Sequence, residues 1–205
     1  MTPSYKFYRV IYRIARFLVG IVYGLDISGR ENIPDGAAMV CANHSDYIDP
    51  FLVAFAFGID HQLHIIAKAE LFKIPIISPI LKKLGMISVN RGISDVSTIK
   101  STLSYLKNGE KVAIFPEGTR VSTDDAISAK SGAVRLAERA VVPIVPVFMP
   151  RKKPLFHKIP VVIGTPYIIE RQSEKRTAED YATLSDKLME KIKALDPKVR
   201  GLGLT

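Results

Sequence analysis

The sequence predicts a single α/β domain with a mainly parallel central sheet flanked by helices. Three observations point that way: five short apolar runs recur along the chain, amphipathic helical patterns fall between them, and no Gly-, Pro- or Ser-rich linker divides the 205 residues. Such alternation favours parallel pairing, because each helix is the crossover that returns the chain to the same end of the sheet. At 47% hydrophobic and 24% charged residues, the chain has apolar side chains for a sizeable core, which excludes a disordered or low-complexity protein.

The first element lies at the N-terminus. Lys6, Arg9, Arg13 and Arg16 are spaced three, four and three apart, so on a helix they form one stripe. Phe7, Val10, Ile11, Ile14, Phe17, Leu18 and Ile21 cover much of the rest. With Tyr5, Tyr8, Tyr12 and Tyr23 nearby, residues 1–25 read as an amphipathic membrane-interface helix in the headgroup region of an anionic bilayer, and residues 26–205 as the globular domain. The plainer alternative is a helix packed on its own domain with its arginines in water. Strands are expected near 38–42, 63–67, 86–89, 112–115 and 143–148. Pro146 inside the fifth argues that this strand is at an edge or bulged. Pro50 opens a helix over Phe51 to Phe57, and Ser94 or Asp95 caps one over 95–107 that Asn108-Gly109 ends. Further helices are expected near 131–140 and 177–195.

The net charge of +9, from 29 Lys and Arg against 20 Asp and Glu, calls for an anionic partner: nucleic acid, a membrane surface or a substrate. Nucleic acid is disfavoured, since no recognised binding motif is present and aromatics do not interleave with basic residues outside the N-terminal helix. Arg151-Lys152-Lys153 reads as a solvated loop with at most some phospholipid contact. The longest charge-free runs, Ala140 to Pro150 and Ile159 to Ile169, have 11 residues, short of the roughly 18 of a spanning helix. Arginines inside the would-be apolar region argue against a cleaved secretion signal, so the cytoplasmic face of the cell membrane is the expected location. Cys41 stands alone, which permits no intramolecular disulfide and no multi-cysteine zinc site. His61 and His64, three apart on a polar stretch, read as surface histidines, and no metal is expected.

Ligands of open parallel sheets bind beyond the carboxyl ends of the strands. After the first expected strand comes Asn43-His44-Ser45-Asp46-Tyr47-Ile48-Asp49-Pro50; after the second, Lys68; after the third, Asn90-Arg91-Gly92; after the fourth, Pro116-Glu117-Gly118-Thr119-Arg120. A histidine, two acids and three cations would then converge on one edge. His44 and Asp49 would point apart on a continuous helix, so they need the turn that Pro50 allows. In that turn Asp49 can accept from one imidazole nitrogen and leave the other free as a base. Read plainly, Asp49 only caps the helix and His44 is an ordinary loop residue. Ser45 directly follows the histidine and no G-x-S-x-G elbow exists, so the base would deprotonate a substrate hydroxyl rather than a serine. Lys68, Arg91 and Arg120 could hold a phosphate on that substrate, with Gly92 and Gly118 allowing close backbone approach. Asn43-His44-Ser45 also matches a glycosylation sequon, a frequent accidental match.

In order along residues 40–150 the chain carries NHSDYID (Asn43 to Asp49), VNRG (Val89 to Gly92), FPEGTR (Phe115 to Arg120) and VPIVPV (Val142 to Val147). With these blocks it resembles the glycerolipid acyltransferase family with the HxxxxD motif, in particular the 1-acylglycerol-3-phosphate acyltransferases. The AKAELFKIP stretch (Ala67 to Pro75) is compatible with it too. The resemblance implies that His44 is the general base and Asp49 its partner, and that Lys68, Arg91, Gly92, Glu117, Gly118, Thr119 and Arg120 form the acceptor site. It implies transfer of a fatty acyl group to the sn-2 hydroxyl of lysophosphatidic acid, giving phosphatidic acid at a membrane surface. No cofactor is implied, only acyl-CoA or acyl-acyl carrier protein as co-substrate. After FPEGTR the chain departs from the pattern: Val121-Ser122-Thr123-Asp124-Asp125 is unexpectedly acidic, and only Lys130-Ser131-Gly132 keeps a K-x-G element. Another lyso-lipid or glycerol 3-phosphate as acceptor, or a non-catalytic module binding anionic lipid, are the competing readings.

Overall fold

A computed structural model of the chain describes residues 4–90, 95–121, 129–172 and 174–199. The helices are α1 (Tyr5–Val22), α2 (Asp49–Phe57), α3 (Ile77–Lys83), α4 (Val96–Lys107), α5 (Gly132–Ala140) and α6 (Ala178–Lys193). The strands are β1 (Gly24–Ser28), β2 (Ala38–Ala42), β3 (Leu63–Lys68), β4 (Ile87–Val89), β5 (Lys111–Ile114), β6 (Ile144–Phe148) and β7 (Lys158–Ile163). They form one sheet in the order β1-β7-β6-β2-β5-β3-β4, parallel throughout except between β6 and β7.

Both faces of the sheet are covered, which is why its central strands are apolar without interruption. On β2, Met39 and Cys41 join the core that α4, α5 and α6 build with Leu106, Val134, Leu136, Leu188 and Ile192. Ala38, Val40 and Ala42 face the other way, into the core with Leu52, Val53, Ala56 and Phe57 of α2. Helix α2 is apolar all round because α1 covers its far side, with Tyr12 meeting Phe55 edge-on at 5.3 Å between ring centroids. Arg30 donates to the carbonyls of Ala56 and Phe55 at 3.1 and 3.2 Å, satisfying the end of that helix. Asp95 caps α4 through the amides of Ser97 and Thr98. Thr177 and Asp180 form a capping box at the start of α6.

Helix α1 has two apolar faces. Tyr8 is buried, and Tyr12 and Arg16 lie against Phe55. Val10, Ile14, Phe17, Leu18 and Ile21 are exposed, Phe17 to 70%. The expected boundary after residue 25 falls inside β1, whose Leu25 and Asp26 are both in register with β7. No helix of the described residues is long and apolar enough to cross a membrane.

Several expectations are corrected. The sequence reading has no strand at Gly24–Ser28 or Lys158–Ile163 and no helix at Ile77–Lys83. β1 offers only Leu25 and Ile27 as apolar signals, and Pro160 interrupts β7. Gly29 terminates β1 at φ 81°, and a Cβ there would lie 1.9 Å from the carbonyl oxygen of Ile163, so only glycine lets the two strands approach. β6 is an interior strand rather than an edge. It tolerates Pro146 because its pairing with the chain beyond β7 is irregular: three steps from Ile144 to Val147 face four from Ile163 to Tyr167, a bulge. His64 is fully buried, not a surface residue. Its Nδ1 lies 2.9 Å from the Gly85 carbonyl oxygen, its Nε2 2.6 Å from Glu110, and its ring stacks on Tyr105 at 3.7 Å.

Candidate active site

The loop after β2 turns sharply into α2, and Asp49 and Pro50 already belong to the first helical turn, two residues earlier than the expected start. The turn brings His44 back onto Asp49, with Nδ1 and Oδ2 2.9 Å apart. The same Oδ2 accepts from the amides of Ser45 and Asp46 at 2.7 and 2.8 Å. Asp49 therefore organises its own loop as well as the imidazole. Burial pushes its pKa up, but the bond to His44, the adjacent Lys153 ammonium and the Asp46 amide outweigh this and hold it below the usual carboxylate value. An ionised carboxylate can only accept, so Nδ1 is the ring nitrogen that donates to Asp49. The His44 ring stacks on Phe115 with centroids 4.2 Å apart.

The turn after β5 supports this loop from below. Glu117 is buried; its Oε2 accepts from the His44 amide at 2.9 Å, and its Oε1 pairs with Arg151 at 2.6 Å. Val121 donates its amide to the His44 carbonyl at 2.8 Å. Gly118 has φ 67°, and a Cβ there would meet the Lys130 methylenes at 2.8 Å. Arg120 stacks over the Tyr47 ring at 3.5 Å.

His44 opens onto a groove of about 740 Å³, within the range of small-molecule sites. Its apolar walls come from α1, α2 and α3, with Ile11, Ala15, Ala54, Ile80 and Leu81 among them. Its polar lining comes from the strand ends: His44, Tyr47, Lys68, Glu70, Thr119 and Arg120. Lys68 is half exposed, 3.2 Å from Glu70. Of the expected site residues, then, His44, Lys68, Thr119 and Arg120 share the groove, while Asp49, Glu117 and Gly118 stand behind it. Arg91 and Gly92 lie outside the described residues. Among the described residues, no group of three or more His, Cys, Asp or Glu could hold a metal ion.

Arg151 and Lys153 are not the solvated loop that the sequence reading expects, for their side chains are 8% and 1% exposed. Besides Glu117, Arg151 donates to the Val121 carbonyl at 2.8 Å. The Lys153 ammonium lies 2.8 Å from Asp49 Oδ1. The sequence carries a signal for both: they follow β6 at the sheet edge where the other strand ends converge, the edge at which ligands of parallel sheets bind. Asn43, the would-be sequon residue, is also buried; its side-chain amide donates to the Met149 carbonyl at 2.7 Å and accepts from the Met149 amide at 2.9 Å, joining β2 to β6.

A family model described as Acyltransferase matches residues 24–150, a span that holds His44, Asp49, Lys68, Glu117 and Arg120 and stops just before Arg151. The chain belongs to the Acyltransferase family. This acyltransferase is 33% identical over 199 residues to the 1-acyl-sn-glycerol-3-phosphate acyltransferase of Bacillus subtilis (strain 168), covering 94% of the chain and 98% of that protein. It is 30% identical over 151 residues to a protein of the same name from Borreliella burgdorferi, covering 70% of the chain and 57% of the relative. Among solved structures, the 1-acyl-sn-glycerophosphate (LPA) acyltransferase PlsC of Thermotoga maritima matches with a TM-score of 0.67 and 26% identity, over 91% of this chain and 80% of that one.

Proposed function

We propose that this acyltransferase moves a fatty acyl group from acyl-CoA or acyl-acyl carrier protein to the sn-2 hydroxyl of lysophosphatidic acid, forming phosphatidic acid. The observation that carries the reading is the His44–Asp49 pair, 2.9 Å apart, at the polar lining of a groove with apolar walls. The names of its Bacillus and Thermotoga relatives favour the same acceptor. His44 Nε2 takes the proton of the acceptor hydroxyl as its oxygen attacks the thioester carbonyl. The C–S bond then breaks, and the imidazolium returns the proton to the leaving sulfur. Asp49 stays ionised throughout and stabilises the transient positive charge on His44. The apolar walls suit an acyl chain, and Lys68 and Arg120 suit the acceptor phosphate, with Thr119 beside them and Arg91 and Gly92 assigned by family resemblance.

The exposed stripe of α1, flanked by Lys6 and Arg13, suits an anionic bilayer on the cytoplasmic side, with the body of the enzyme lying on the surface. The test is mass spectrometry of products from purified protein given lysophosphatidic acid, glycerol 3-phosphate or another lysophospholipid, each with both donor types. Phosphatidic acid is the expected product from lysophosphatidic acid, and His44→Ala should lower its rate at least about 100-fold with the fold intact. Undiminished turnover by His44→Ala would refute the assigned mechanism, and exclusive use of another acceptor would refute the substrate.

A further inference from the structure

We propose that Lys153 is a positioning residue for acyl transfer, whose buried ammonium holds Asp49 as an ionised carboxylate with its other oxygen turned to His44. The proposal rests on the reading of His44 as the base.

An ammonium has three hydrogens to donate and no lone pair. Lys153 Nζ has three partners: Asp49 Oδ1 and Ser45 Oγ at 2.8 and 2.7 Å, and the Pro150 carbonyl at 2.7 Å. Two of these contacts are hydrogen bonds and the third is an ion pair, and a side chain that is 1% exposed has no water to turn to. Ser45 passes the chain on, donating its hydroxyl to the Arg151 carbonyl at 3.0 Å, so the hydroxyl is committed to holding the loop. On the carboxylate the division is equally complete. Oδ2 serves His44 and the two loop amides, whereas Oδ1 has no hydrogen-bond partner of good geometry and faces the Lys153 charge. Asp49 is fully buried, and a carboxylate without a counter-charge in such a place takes up a proton.

The neighbouring charges have other partners. Glu117 is bound by Arg151, Lys68 lies against Glu70, Arg120 covers Tyr47, and Asp46 accepts from the Ile48 amide on its own loop. From α1, Arg16 lies over the Phe55 ring and Tyr12 donates its hydroxyl to the Phe55 carbonyl. Among the described residues, the cation in contact with Asp49 is thus supplied from beyond β6, by a segment remote in sequence from the HxxxxD loop.

The sign of the effect follows. His44 acts as a base only when the pair carries a single proton, on Nδ1, and the Lys153 charge opposes the second. Removing that charge lets the pair hold its second proton more tightly, so the pH at which the rate rises moves upward. A lysine that merely filled space would cost stability and leave that midpoint where it was.

The experiment compares wild type, Lys153→Met and Lys153→Gln by kcat/KM against pH, by thermal unfolding, and by an NMR titration of the His44 ring nitrogens. Both variants should raise the acid-side midpoint, and the His44 titration with it, by about one pH unit or more. The kcat should fall at least about tenfold while the acceptor KM changes little. A folded variant with unchanged kcat and midpoint overturns the proposal. Should neither single variant fold, Asp49→Asn/Lys153→Met must fold, because it removes both buried charges; an unfolded double variant overturns the proposal too. The NMR arm reads the Lys153 effect without turnover. Full activity of His44→Ala would therefore sink the catalytic reading, whereas an unmoved His44 titration would sink the role of Lys153.

Discussion

His44 and Asp49 make contact because five residues of chain close a turn between a strand end and a helix start, a local feature visible in Asn43 to Pro50 alone. The support beneath them comes from far away in the chain. From beyond β6, Arg151 reaches across the end of β2 to bind Glu117 and the carbonyls of His44 and Val121, and both partners of the ion pair are buried. Replacing one partner leaves the other charge stranded, so Arg151→Met should destabilise the protein by about 3–5 kcal/mol in chemical denaturation. Adding Glu117→Gln should recover part of that loss. A single variant as stable as wild type would show the pair to be dispensable. Arg151-Lys152-Lys153 looks solvated in sequence because three adjacent cations usually are. Burial of two of them needs two acids, Asp49 and Glu117, that only the folded sheet edge brings within reach.

Helices are where the groove gains its shape. α1, α2 and α3 each place small or aliphatic side chains along it, and Ala54 on α2 leaves space that a larger residue would fill. Ala54→Trp should lower turnover of long-chain acyl thioesters more than that of short-chain ones, read as the ratio of the two kcat/KM values. An unchanged ratio would mean that the acyl chain lies elsewhere. The longer helices could be read from periodicity and caps: Asp95 and Asn108 bound α4, and Thr177 opens α6. Helix α3 has seven residues and no side-chain cap, so nothing local announced it. β1 and β7 were equally quiet, the one short and half exposed, the other carrying Pro160. His64 misled for a related reason: beside Asp60, His61 and Gln62 it looks polar, yet it points inward to Gly85 and Glu110, whose positions β3, β4 and β5 set together.

Across the whole molecule, cations behind the charge of +9 are found on the exposed face of α1, in the groove and beneath the site. Exposed cations such as Lys6 and Arg13 act through solvent and are screened by salt; the ammonium of Lys153 is shielded inside. Binding to anionic vesicles should therefore weaken steeply as salt rises from about 0.1 to about 1 M, as the screening length shrinks from about 10 to about 3 Å. Neutral vesicles should show no such dependence, and salt-independent binding to anionic vesicles would locate the attraction in the apolar stripe alone. From the order of residues come the α/β class, the parallel sheet, the His44–Asp49 turn and the strand ends on which a ligand would sit, because each depends on periodicity or spacing within a few residues. The fate of each cation, in water or beneath the site, came from folding. Whether a charge is buried depends on which acid the sheet order sets beside it, and β6 lies next to β2 although a hundred residues separate them.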